Sequence, residues 1–136
     1  MDATFTKLKT TGRIGITLLA VRLGNDLLVG ISGGDRPHIG AVAVGVPGPA
    51  GDPGQPRTAA ATVITLPGHR EDQVTRDAAQ RIALETGSVV SVSCGIHLDA
   101  ITAEEISCVC ALVEELTGEL INWAVAASRT ALPGEQ

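Results

Sequence analysis

A chain of 136 residues, 44% of them hydrophobic, is long enough for one domain with a real core, too short to argue for two, and too apolar for a disordered tail. Ten Lys and Arg against fifteen Asp and Glu leave a net charge of −5, which argues against nucleic-acid binding, because phosphate neutralisation supplies most of that affinity. Phe5 and Trp123 stand without a single tyrosine, so base-stacking platforms and membrane aromatic belts are excluded and the core must be built from Val, Ile, Leu and Ala.

No stretch approaches the ~20 apolar residues of a membrane span. The opening MDATFTKLKTTGR has no apolar segment of the kind a signal peptide needs, which predicts a cytoplasmic protein. Charged residues, at 18%, fall below the roughly 25% usual for soluble domains. That shortage predicts a surface covered by another subunit, hence a homo-oligomer. Cys94, Cys108 and Cys110 are an odd number, which favours reduced thiols over a disulfide frame.

In chain order, residues 3–10 alternate loosely as a first strand. Residues 14–22 and DLLVGISGG after them predict a hairpin closed around Gly24-Asn25. His38–Val46 (HIGAVAVGV) reads as a fourth strand, continuously apolar and small, with glycines that permit close approach of another group. The Gly/Pro-rich segment 46–57 predicts a flexible loop, and 58–67 a fifth strand. A helix follows from Asp72 to a stop at Gly87, with Val74, Ala78, Ala79 and Ile82 as its apolar stripe. SVVSVSCGIHLD is a sixth strand with Val90, Val92 and Cys94 on one face. Thr102 and Glu105 form a capping box that opens a second helix, whose apolar face carries Ile106, Val109, Val113, Leu116, Leu120 and Ala124. The tail 127–136 is expected to fray. Strands first and helices later predict a single α+β domain over 1–136. It would have a mostly antiparallel sheet of five to six strands, two helices packed on one face, and the other face solvated or at a subunit interface.

The residues that carry chemistry cluster at element ends. His38 follows a Gly-Gly turn, His69 lies between a strand and a helix, and His97 ends a strand. Element ends that meet at one edge of a sheet are where sites assemble, and histidine is the commonest metal ligand and a proton carrier near neutral pH. Asp99, two residues from His97, is placed to co-ligate or to orient the imidazole. Imidazole and carboxylate suit a divalent first-row ion, so His38, His69, His97 and Asp99 form a candidate metal set. Gly33, Gly34 and Arg36 precede His38 in a turn whose backbone could approach a phosphate. Arg70 flanks His69 near a helix N-terminus, which favours anions. No phosphate-binding P-loop, dinucleotide fingerprint, nucleophile elbow or HExxH motif is present.

The stretches SGGDRPHIGAVAVG, VITLPGHRED and GIHLDAITAEEI occur in that order. Over roughly residues 13–121 they resemble the small prenylated-flavin chaperone proteins, the D subunits that accompany gallate-type, reversible aromatic-acid decarboxylases. The resemblance implies a non-catalytic helper that holds reduced prenylated flavin mononucleotide (FMN), receives it from the prenylated-flavin synthase and delivers it to the decarboxylase. Gly33, Gly34, Arg36, His38, His69, Arg70 and His97 would then hold the cofactor, with GAVAVG as a flat floor for its ring. Two other readings remain open. One is a small metal-dependent hydrolase or lyase using His38, His69 and His97, with Glu71 or Asp99 as general base. The other is a structural subunit in which the histidines are only turn residues.

Overall fold

The computed structural model describes residues 3–49, 53–68 and 71–130, with the side chains of 127–130 left aside. The order of elements is β1 (Thr4–Thr11), β2 (Ile14–Leu23), β3 (Asp26–Gly34), β4 (Ala41–Pro47), β5 (Ala59–Thr65), α1 (Asp72–Thr86), β6 (Val90–His97) and α2 (Ala103–Thr130). The six strands form one sheet in the order β1-β2-β3-β6-β4-β5. All pairs are antiparallel except β3 with β6. The architecture is therefore α+β, as the run of strands followed by helices predicts. Of the expected tail 127–136, residues up to Thr130 continue α2, while 131–136 lie outside the described residues, as do part of the 46–57 loop (50–52), His69 and Arg70.

Period-two patterning sets the two faces. In β2, Ile14, Ile16, Leu18 and Ala20 are buried, and their neighbours across the sheet are Leu27, Val29 and Ile31 of β3 and Val90, Val92 and Cys94 of β6. This face is covered by both helices. α2 lies over the β1–β2 end, and α1 over the β4–β5 end and β6. At roughly 25 cal/mol per Å² of apolar surface removed from water, this aliphatic layer is the main stabilising term.

Turn chemistry joins the strands as the sequence specifies. Gly12 and Gly24 take positive φ in two tight hairpins, which an L side chain rarely adopts. Gly87, with φ 72°, closes α1 and donates its N–H to Ala83 O. The capping box of α2 forms in full: Glu105 N–H donates to Thr102 Oγ1 and Thr102 N–H to Glu105 Oε1, each at 3.1 Å.

Two details differ from the sequence-based expectation. The fourth strand begins at Ala41, not His38. Pro37 lacks an N–H for a ladder, and the space beside the Gly40 Cα is filled by the Glu71 carboxylate, so 37–40 runs as an irregular connection. Its polar groups are still met, with Gly40 N–H bonded to Cys94 O at 2.9 Å. In α2, Ile106 is not part of the packed face; it is 51% exposed.

Candidate functional site

The C-terminal ends of β3 and β6 lie side by side, with Gly34 registered against His97. Gly34 has φ 78°, and a Cβ there would run into the His97 carbonyl; Gly33 is equally crowded by the Gly15 carbonyl. Asp35 N–H donates to His97 O at 2.6 Å. The Gly-Gly pair thus lets two backbones approach each other, and its place is beside the candidate ligands rather than over an open cradle.

Around this strand end the charged residues form a network. Arg36 Nη2 stands 2.7 Å from His97 Nε2 and 2.9 Å from Asp99 Oδ1, and His97 Nε2 is 3.0 Å from the same oxygen. A guanidinium only donates, so Arg36 donates to Asp99, while His97 Nε2 either donates to Asp99 when it carries a proton or accepts from Arg36 when it carries a lone pair, and never both at once. His97 and, after it, Arg36 hold the Asp99 carboxyl below its ordinary pKa. Arg13, in the β1–β2 turn, grips Glu105 with two bonds of 2.6 and 2.9 Å and reaches the Asp99 carbonyl at 2.8 Å. That grip, with help from the cap of α2, drives the Glu105 pKa down to about 2. Asp99 N–H donates to Asp35 Oδ2 at 2.9 Å. The loop before α2, in which Ala100 has φ 52°, is therefore tied down from several sides.

His38 sits one step across the sheet. Its Nδ1 is 2.9 Å from Arg36 O and its Nε2 3.1 Å from Glu71 Oε1. Both nitrogens face acceptors, which an imidazolium satisfies, or a neutral ring with a protonated Glu71. Glu71, the residue before α1, also accepts from Ile96 N–H at 3.4 Å.

Between α1 and α2, above the end of β6, lies a groove of about 640 Å³. This is within the roughly 300–1,000 Å³ range of small-molecule sites. Val74 and Ala78 of α1, Ile96 of β6 and Leu98 just after it, and Ile106 and Val109 of α2 give it apolar walls. Glu71 and His97 stand at its mouth, so His97 belongs to the Arg36–Asp99 network and the groove together, and His38 touches it through Glu71. Further along, Arg81 Nη1 bridges the helices by donating to Glu114 O at 3.1 Å.

Of the residues read from sequence, Gly33, Gly34, Arg36, His97 and Asp99 come together, with His38 adjacent. His69 and Arg70 lie outside the described residues. Among the described residues no group of three or more His, Cys, Asp and Glu is gathered to hold a metal. His38 is paired with Glu71 and His97 with Asp99, in two separate couples. On its helix-covered face the strand GAVAVG offers no room to a ligand: Ala41 and Ala43 are fully buried, and a Cβ on Gly45 would strike the Ala79 carbonyl of α1. Its small residues admit the helix. Cys94 is buried, with its thiol pKa pushed up to about 11 by desolvation, which leaves it inert. The groove walls were missed by sequence reasoning as a site. Their only signal was Val74 and Ile106, apolar residues at the margins of the two helical stripes.

Trp123 is engaged elsewhere, 5.6 Å from Phe5 between ring centroids and with Arg22 stacked 4.3 Å above it. The groove therefore offers aliphatic walls and no aromatic stacking partner among the described residues. Such walls fit an apolar ring system, and the Arg36 end fits an anionic tail. No helix among the described residues is long and apolar enough to cross a membrane.

Known proteins resemble this chain at two levels, fold and family. A chain of a yeast 20S proteasome assembly chaperone complex shares the fold, with a TM-score of 0.51 and 12% identity over 90% of this chain and 98% of that one. Protein LpdD of Lactiplantibacillus plantarum is 27% identical over 124 residues, 84% of this chain and 82% of that protein. The model of the prenylated flavin chaperone LpdD-like domain matches residues 10–125, so the chain belongs to the prenylated flavin chaperone family.

Proposed function

We propose that this chain holds reduced prenylated FMN in the groove between α1 and α2 and passes it, without forming any bond itself, from a prenylated-flavin synthase to a reversible aromatic-acid decarboxylase. The observation that carries the reading is the apolar groove, which opens beside His97 and Arg36 in a member of a flavin chaperone family. The ring system lies against Val74, Ile96, Ile106 and Val109. The phosphate lies toward Arg36 and His97, with His38, His69 and Arg70 as further candidates for that end. Arg36 and Asp99 are exposed, at 69% and 66% of their side chains, so a phosphate can replace Asp99 as acceptor at little cost in desolvation. A divalent ion on His38, His69, His97 and Asp99 would have to break both existing couples, and the reading does not depend on one.

The test is anaerobic co-expression with the synthase, followed by mass and absorbance spectra of whatever the purified chain retains. A stoichiometric prenylated flavin is expected, and His97→Ala should lose most of it with little change in melting temperature. A colourless chain, or a His97→Ala variant that melts far earlier yet binds normally, contradicts the proposal.

A further inference from the structure

The sheet face that carries no helix is built as an interface. Strand alternation puts Thr6 and Leu8 of β1, Leu19 of β2, Leu28 of β3, Val44 and Val46 of β4 and Ile64 of β5 on it. Leu8, Leu19, Leu28, Val44, Val46 and Ile64 are each more than two-fifths exposed. The remaining strand positions there are mostly Thr, Ser, Gly and Ala. No Lys, Arg or Glu stands among them, and Asp26 lies at one strand end. In an acidic chain with net charge −5, an apolar face of this extent with one carboxylate at its edge is far from the usual surface composition.

We infer that this face binds the same face of a second copy of the chain, giving a two-fold dimer with the sheets stacked and the helices outermost. Three observations select that occupant. First, Asp26 at one strand end and His38 at the rim of its hollow are the titratable groups near this face, so a charged partner finds little to pair with across the middle of the sheet, whereas two identical faces bring no carboxylates into opposition there. Second, the extent is right. Six strands spaced about 4.8 Å apart and roughly seven residues long at about 3.3 Å span about 650 Å² before side-chain relief is counted. Stable interfaces need roughly 600–1,000 Å² per partner. Third, the face carries its own knob and hole. Gly30 has open space where a Cβ would stand, and with Thr17, Ser32, His38, Ile39 and Ser93 it lines a hollow of about 340 Å³ beside the protruding Leu19. A two-fold axis places the ridge of each copy against the hollow of the other, as an isologous contact requires. Stacked sheets pack about 10 Å apart with interdigitated side chains.

This inference does not rest on flavin binding, and its test reads mass alone. Sedimentation equilibrium of the full chain should give twice the 13.9 kDa of one chain. Leu19→Asp combined with Val44→Asp should return the mass of one chain with an unchanged far-ultraviolet circular dichroism spectrum. Leu84→Asp combined with Val89→Asp, two such charges at exposed positions of α1 and the turn after it, should stay dimeric. Gly30→Leu is the second arm, because the single chain has room for that side chain while a partner filling the hollow does not; it too should weaken the dimer. A wild-type chain that sediments as a monomer at tens of micromolar overturns the inference. So does a dimer that persists in both the double variant and Gly30→Leu.

Discussion

The two halves of α2 have the same apolar periodicity and face different things. In the second half, Leu116, Leu120, Ile121 and Ala124 are buried among one another and the β1–β2 end of the sheet. In the first half, Ile106, Val109 and Cys110 look across a groove at Val74 and Ala78 of α1. Helical spacing declares which side of a helix is apolar. It does not declare whether that side meets a sheet or an empty space. The difference arises because α1 and α2 cover opposite ends of the sheet and part where β6 ends, and strand order alone sets where that happens.

Truncating the packed half should have the largest effect. Leu120→Ala removes a fully buried side chain and should cost about 2–5 kcal/mol in chemical denaturation, while the folded fraction still retains flavin. Equal loss of flavin and of stability in that variant would mean the two halves are not separable. A smaller effect is expected from acid at the start of the groove half. Glu105, with its pKa lowered to about 2 by Arg13, stabilises the fold above its unfolded value near 4.5. That contribution is lost as pH falls from there through about 2. Thermal melts between pH 5 and pH 2 should therefore show a steeper decline for the wild type than for Glu105→Gln, and parallel curves would show that the Arg13 grip does nothing for the first turn of α2.

Much of this arrangement is legible in the sequence, and for identifiable reasons. The Gly24-Asn25 hairpin, the stop at Gly87 and the Thr102–Glu105 box are local signals, each set by the chemistry of a few adjacent residues, and the structure contains all three. The association of Arg36, His97 and Asp99 was foreseeable in part, because His97 and Asp99 are two residues apart. Arg36 arrives only through the parallel pairing of β3 with β6, which no local pattern reveals. The small residues of GAVAVG correctly announced a close approach, but the approaching group is the backbone of α1. A run of small residues does not say which neighbour needs the room. Helical spacing places Ile106 on the apolar face of α2 although it is exposed, for the same reason that it hides the groove, since periodicity is blind to gaps between elements.

The central claim is that the groove half of α2 is shaped for a flavin, and one side-by-side measurement addresses it. Ile106→Asp places an acidic side chain at an exposed position near the helix start, where the helix dipole tolerates it. Cys110→Trp fills the groove from another exposed position. Each variant, co-expressed with the synthase under anaerobic conditions, should melt close to the wild type and retain less than about a tenth of its flavin, a loss of roughly 1.4 kcal/mol or more in binding. Flavin retained at the wild-type stoichiometry by both folded variants would contradict the account and move the cofactor out of the groove.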